Sequence, residues 1–312
     1  MEPVTKFNTL PERLRLTGKR VRVAVASPAD SHTEEVVARA AAGHLAEFTL
    51  VTSGSKTEAA ARLQALYPES ISLVAADDDD DAARKAVAEV RSGRAGVLMK
   101  GTLNTDNLLR AVLNKECGLL EPGHVLTHIA VAEIPGMERL LFFTDAAVIP
   151  YPTTEQFDAM TAYATDTCRR IAGTDCPRVA LTHCTEKTSE KFPQTISYAQ
   201  LRENAAAGRY GNAFVEGPMD VKTACDAESG AIKGIKGQVA GRADIIIFPD
   251  IEAGNTFYKT ITLFAHATVA GMLAGTTAPV VVTSRADSAD SKFYSLAVAC
   301  LSAATAGHDC DK

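Results

Sequence analysis

Residues Ala95–Leu113 read AGVLMKGTLNTDNLLRAVL. A short apolar run ends at Lys100-Gly101, a polar stretch follows, and from Asp106 onward apolar residues recur at helical spacing. A strand that hands over to a helix within so few residues is half of a βαβ unit. The same rhythm extends in both directions. Upstream stand VRVAVAS (Val21–Ser27), FTLVTS (Phe48–Ser53) and ISLVAA (Ile71–Ala76), followed by amphipathic segments over Thr33–Ala46, Lys56–Leu66 and Ala82–Ser92. Downstream come RVALTHC (Arg178–Cys184), AFVEGPM (Ala213–Met219), ADIIIFPDI (Ala243–Ile251) and APVVVTSR (Ala278–Arg285). Helical patterns cover Thr154–Ala172, Tyr198–Ala207, Asn255–Ala274 and Ala289–Ala306. Such alternation predicts an α/β fold with a mostly parallel sheet. The strands are apolar on both faces, as a sheet covered by helices on both sides requires.

One pair breaks the rhythm. VLTHIAVAEI (Val125–Ile134) and RLLFFTDA (Arg139–Ala146) are joined by the short PGME, which permits only an antiparallel hairpin. A domain boundary is expected near Ile149–Pro152, where two prolines flank Tyr151.

The chain has 312 residues, 46% of them apolar, with no tryptophan and a formal net charge of −6. That length suits two domains or one large one. An acidic balance argues against a surface that coats nucleic acid. The first twenty residues contain no apolar signal core, and no stretch approaches the roughly 18 apolar residues of a membrane span. The seven cysteines are scattered and form no CxxC, so reduced thiols and a cytoplasmic location are expected. The acidic run Asp77–Asp81 reads as a solvated loop entering a helix, where carboxylates suit the dipole.

Several familiar chemistries lack their signatures. No GxGxxG follows the first strand, and there is no Walker A sequence, no Gly-x-Ser-x-Gly and no histidine pair at zinc spacing. The glycines of GIKGQVAG (Gly234–Gly241) are wrongly spaced for a nucleotide loop. His183 and Cys184 are neighbours on a strand and should point to opposite faces, which favours a structural reading over a nucleophilic pair.

Ligands of open α/β sheets bind beyond the carboxyl ends of the strands. The tails there are SPADSH, MKGTLNTD, TDAA, EGPMD, PDIEAGN and TSRADS. They are rich in Gly, Asp, Ser and Thr, with Lys100 and Arg285 among them. Gly101 allows close backbone approach, and free amides at a helix start favour an anion. Asn255 and Lys259, spaced i, i+4, share one helix face. The planar fork of Arg285 matches phosphate or carboxylate oxygens, and Ser284 can donate or accept a hydrogen bond. The same stretch also suits an ordinary helix start, with Ser288 as cap and Arg285 paired to Asp287 or Asp290.

The segments VEGPMD…AESGAIKGIKGQVAGRADIIIFPDIEAGNTFYK, GTTAPVVVTSRADSADSKFYSLAVA and VLMKGTLNTDNLLRAVL together resemble the phosphate acetyl/butyryltransferase family. The resemblance covers most of Ala95–Ala299. The short chain looks more like the phosphate butyryltransferase branch than the long acetyltransferases with an extra N-terminal domain. It implies two α/β/α domains with a cleft between them, like isocitrate and isopropylmalate dehydrogenases. One would span 1–150 plus 286–312, the other 151–285, with the last helix packing on the first. It implies reversible transfer of a short acyl group, butyryl or acetyl, between coenzyme A and phosphate in a ternary complex. No acyl-enzyme, no metal and no tightly bound cofactor are implied. The partners would be acyl-CoA or CoA and phosphate or acyl phosphate, with no nucleic acid or membrane, in a homodimer.

The family's Ser-Arg motif matches Ser284 and Arg285. Arg285 would hold phosphate, Ser284 would bond the reacting carbonyl or thiol region, and Asp290 would take or orient the thiol proton. Lys100, Gly101, Thr102, Asp145, Asn255 and Lys259 match family motifs as substrate-site candidates. Two alternatives stay open: a metal-dependent NAD(P) dehydrogenase on the same scaffold, and a non-catalytic CoA- or phosphate-binding module.

Overall fold

The structure of the chain, a computed structural model, describes residues 3–54, 57–283 and 287–306. A 3-10 turn (Phe7–Thr9) leads into α1 (Leu10–Leu16), β1 (Val21–Ala26), α2 (Ser31–Ala42) and β2 (Ala46–Ser53). Next are α3 (Thr57–Leu66), β3 (Ile71–Ala76), α4 (Asp79–Arg91), β4 (Val97–Lys100) and α5 (Thr105–Val112). The strands β5 (Thr127–Glu133) and β6 (Leu141–Thr144) precede α6 (Thr154–Ala172), β7 (Arg178–Thr182), α7 (Pro193–Ala206) and β8 (Phe214–Met219). Then come α8 (Val221–Cys225), α9 (Ala227–Ile232), β9 (Ile245–Ile247), α10 (Ile251–Phe264), β10 (Thr268–Ala274), β11 (Val280–Val281) and α11 (Ala289–Thr305).

Local chemistry explains many of these boundaries. Asp30, Asp78, Asp220, Asp226 and Asp250 each cap a helix by accepting an amide three residues on. Thr153 and Gln156 form a reciprocal capping box on α6, which Gly173 ends in a left-handed turn. In the acidic run, Asp78 caps α4 and Asp81 pairs with Lys85 and Arg84, so these carboxylates do start a helix.

The chain forms two compact units, Phe7–His124 with Ala270–Lys312, and Met1–Lys6 with Val125–Val269. In the first, the strand order is β3-β2-β1-β4-β11-β10. All neighbours are parallel except β10, which runs antiparallel to β11. Val23, Val25, Leu50, Val97 and Met99 are fully buried, as are Ala82 and Ala86 of α4 and Val298 of α11. In the second unit the order is β5-β6-β9-β7-β8, parallel apart from β5. Its core includes edge-to-face and tilted rings of Phe143, Phe248 and Phe257, with centroids 5.1–6.1 Å apart.

Three expectations differ from this fold. The hairpin forms, with Val131 opposite Phe142, but it does not close the first domain. Its strand β6 pairs in parallel with β9, which ties it to the later strands. The units therefore divide at His124/Val125 and Val269/Ala270, and not at 150/151 and 285/286. The helix expected over Asn255–Ala274 stops at Phe264, and β10 follows. His266, at a φ of 51°, turns the chain, and Thr268-Val269 favour extended backbone. The buried positions of β10, Val269-Ala270 and Met272-Leu273, recur every three residues and so imitate a helical stripe. Of the strand expected over Ala278–Arg285, Val280 and Val281 alone among the described residues join the ladder. Among the described residues no helix is long and apolar enough to cross a membrane.

Candidate active site

In the first unit the carboxyl ends of β1, β4 and β11 open on one edge, since Ala26 pairs with Lys100 and Met99 with Val281. Ser27 follows β1, fully buried and in the left-handed region at a φ of 54°. Its carbonyl accepts the Thr102 amide at 2.8 Å and the Thr102 hydroxyl at 3.0 Å, while Gly101 N donates to Ala26 O at 2.8 Å. A Cβ on Gly101 would lie 2.1 Å from the Ser27 carbonyl oxygen, so two backbones touch where only glycine fits. Ser27 Oγ donates to Asp79 Oδ1 at 2.8 Å and so joins this turn to the start of α4. The buried Lys100 curls over its own loop, with Nζ donating to the carbonyls of Gly101 and Leu103 at 3.0 Å each.

On the same unit Ser288 caps α11 by accepting the Ser291 amide. Asp290, in the first turn, is exposed and accepts from Arg39 Nη1 at 2.7 Å. The Arg39 guanidinium lies 3.8 Å from the centre of the Phe293 ring. Two residues on, the buried Lys292 donates to Asp30 Oδ1 at 3.0 Å. Burial alone would raise the Asp30 carboxyl, but hydrogen bonds from Thr33 and Lys292 outweigh it and hold it below the usual range. Two ion pairs thus tie the start of α11 to α2. Ser284 and Arg285 lie outside the described residues.

The second unit has its own edge, at the carboxyl ends of β6, β9, β7 and β8. Asp145 follows β6 and is almost fully buried. Oδ1 accepts the amides of Ala147 and Val148 at 2.7 and 2.8 Å; Oδ2 accepts the Thr127 hydroxyl at 2.8 Å and the His128 amide at 3.1 Å. All four bonds come from its own unit, so the carboxylate shapes the 145–148 turn. Gly254 lets α10 lie on that turn, because a Cβ there would meet Asp145 O at 2.0 Å. Asn255 Nδ2 donates to Ala146 O at 3.1 Å. Lys259 is exposed, its ammonium 3.9 Å from the Tyr258 ring. The seven described candidates therefore fall into two sets: Lys100, Gly101, Thr102 and Asp290 in the first unit, and Asp145, Asn255 and Lys259 in the second.

The glycines of GIKGQVAG also find a use. Glu216 of β8 accepts the amides of Gln238 and Val239, and a Cβ on Gly237 would stand 2.2 Å from that carboxylate. The strand alternation expected for His183 and Cys184 does not apply, since β7 ends at Thr182 and Cys184 Sγ lies 3.6 Å from His183 Nδ1. Ser27, Asp30, Asp79 and Lys292 were not evident from spacing. A cation immediately before the apolar run FYSLAVACL was the one signal for Lys292.

A sheet edge where glycine permits backbone contact, beside the starts of α5 and α11, suits an anionic ligand. The profile described as phosphate acetyl/butaryl transferase matches residues 74–300. The chain belongs to this family of acyltransferases. It is 37% identical over 299 residues to the phosphate butyryltransferase of Clostridium beijerinckii, covering 96% of this chain and 98% of that one. It is 41% identical over 223 residues to the phosphate acetyltransferase of Rhizobium meliloti, covering 72% of this chain and 70% of that one. A branched-chain phosphotransacylase from Enterococcus faecalis V583 superposes with a TM-score of 0.79 at 29% identity, covering 91% of this chain and 99% of that one.

Proposed function

We propose that the protein moves a short acyl group, butyryl or acetyl, reversibly between coenzyme A and inorganic phosphate. The observation that carries this reading is the first unit's edge, where the glycine-dependent turn at Gly101 follows β4, the strand paired with β11. In the synthetic direction a phosphate oxygen attacks the thioester carbonyl, and the coenzyme A sulfur leaves as it takes up a proton. In reverse the thiol attacks the acyl phosphate, and phosphate leaves. Transfer is direct, within a ternary complex.

Arg285 holds the phosphoryl group through its fork, and Ser284 bonds the oxygen on which charge develops. Asp290 accepts or returns the thiol proton; an ordinary thiol, with a pKa of about 8.5, is mostly protonated at neutral pH. Lys100, Gly101 and Thr102 shape the adjoining turn. Asp145 and Asn255 act through the backbone they hold, and Lys259 offers a cation from α10. The two units correspond in this reading to the two α/β/α domains of the isocitrate and isopropylmalate dehydrogenase scaffold. Coenzyme A serves as a substrate, with no tightly bound cofactor, in a cytoplasmic homodimer.

The test is thioester absorbance with coenzyme A and acetyl, propionyl, butyryl and isobutyryl phosphates. Thioester formation, fastest with the four-carbon chains, is expected. Absence of any thioester product would overturn the proposal, and reduction of NAD with hydroxy acids would favour the dehydrogenase reading.

A further inference from the structure

The second unit carries a thiol and a base that the proposed acyl transfer does not use. His183 and Cys184 lie just past β7, at the edge where parallel strands present their ligand-facing loops. Their backbone is well anchored. Tyr198 Oη donates to Thr182 O at 3.1 Å, and His183 N donates to Met219 O at 2.8 Å. The His183 ring packs edge-on against Phe192, with centroids 4.7 Å apart. Phe192 is itself pinned by Thr195, whose hydroxyl donates to its carbonyl at 2.7 Å. Cys184 is exposed, and its sulfur lies 3.6 Å from His183 Nδ1. Burial lowers the imidazole's pKa, so at neutral pH the ring is uncharged and Nδ1 can accept the thiol proton.

The other described cysteines differ from it. Cys168 and Cys300 are buried, and burial drives both thiols up, Cys300 to about 12. Cys225 is pushed to about 11 by burial. Cys117 is exposed, but its nearby group is the Asn114 side-chain oxygen at 3.2 Å, which accepts its proton without being a base. Cys176 is half-buried.

We propose that Cys184, served by His183, is a modification site for low-molecular-weight disulfides. Cys184 Sγ attacks one sulfur of the disulfide as its proton passes to His183 Nδ1. The Sγ–S bond forms, the disulfide bond breaks, and the departing thiolate takes that proton from the imidazole. One thiol and one disulfide become a mixed disulfide and one thiol, so excess thiol reverses the step. The adduct stands at the second unit's loop edge, and on the acyltransferase reading, on which this part rests, it obstructs the substrate.

The test exposes the full chain at neutral pH to glutathione disulfide, with acid quenching and peptide mapping by mass spectrometry. The first adduct is expected on Cys184, at about ten times the rate at Cys117. His183→Gln should slow it about ten-fold, less than the ~10²–10⁴ of a tuned general base. Phe192→Leu, which keeps the imidazole, should leave the rate within about two-fold. Preferential labelling of Cys117, or equal slowing by H183Q and F192L, would overturn the assignment. In the acyl-transfer assay, disulfide should inhibit the wild type reversibly and spare Cys184→Ser. A full adduct on Cys184 with undiminished turnover would refute the obstruction. If the wild type makes no thioester at all, the acyltransferase reading fails while the adduct map still decides the thiol's reactivity.

Discussion

Replacing Asp145 with asparagine preserves the side chain's shape and removes its charge. The carboxylate accepts four hydrogen bonds, three from backbone amides, in a nearly water-free position. An asparagine can keep its oxygen toward Ala147 and Val148. Its amide nitrogen then takes the place of Oδ2. The Thr127 hydroxyl, 2.9 Å from Thr144 Oγ1, can turn to accept from it, but the His128 amide is left facing a donor. One unsatisfied buried amide costs about 1–3 kcal/mol. The two surviving bonds fall from charge-assisted to neutral strength, about 1 kcal/mol each. The relief of not burying a charge offsets part of this sum, which leaves a destabilisation of about 3 kcal/mol. At ~2–4 °C per kcal/mol that is a loss of about 6–12 °C in Tm. The assay is thermal and urea unfolding followed by circular dichroism, alongside steady-state kinetics with phosphate varied. The decline in kcat/KM should track the loss of folded protein. A Tm within about 2 °C of the wild type with a tenfold higher KM for phosphate would mean that Asp145 meets the substrate directly, and the reasoning from its filled acceptors would fail.

Arg285→Ala should lower kcat by about 10²–10³ and raise the KM for acyl phosphate, the cost of losing a preorganised charge at the reacting oxygen; near-normal kinetics would remove Arg285 from the site. Asp290→Asn should lower kcat about 10²-fold with KM changed only a few-fold, and a larger loss with Asp287→Asn would make that residue the proton acceptor. Gly101→Ala forces a methyl group to within 2.1 Å of Ser27 O and parts the ends of β1 and β4. With three hydrogen bonds at risk it should cost about 3 kcal/mol or more, read as a lower urea midpoint. Asp30 titrates below its unfolded value of about 3.9, so the stability it supplies is complete above that pH and is lost as pH falls through the folded value. Asp30→Asn should therefore flatten the acid limb of the stability profile, and superimposable limbs would contradict the Lys292 pairing.

Much of this protein is legible in its order of residues, because the information is local. Period-two and period-3.6 patterns announced the alternating strands and helices, and the PGME turn announced a hairpin that does form. The tails at the strand ends, including Lys100-Gly101 and Asp145, stood out by composition. The motifs around Gly101, Glu216 and Arg285 indicated the family that the profile over residues 74–300 establishes. Where the pattern was ambiguous the reading erred: the stripe from Val269 to Leu273 serves a strand as well as a helix, and only the ladder with β11 decides for the strand.

What the tertiary structure alone decided lies between residues far apart in the chain. Thr102 meets Ser27 across 75 positions, and Lys292 meets Asp30 across 262. The hairpin's allegiance to β9 was equally hidden, since strand order is chosen by which surfaces bury together and not by any one strand's own pattern. For the same reason sequence could nominate Asp145 as a substrate-site residue, but not reveal that it already accepts four hydrogen bonds from β5 and from the turn that follows it. A residue's type states what it can bond; only the packed chain states what it has already bonded.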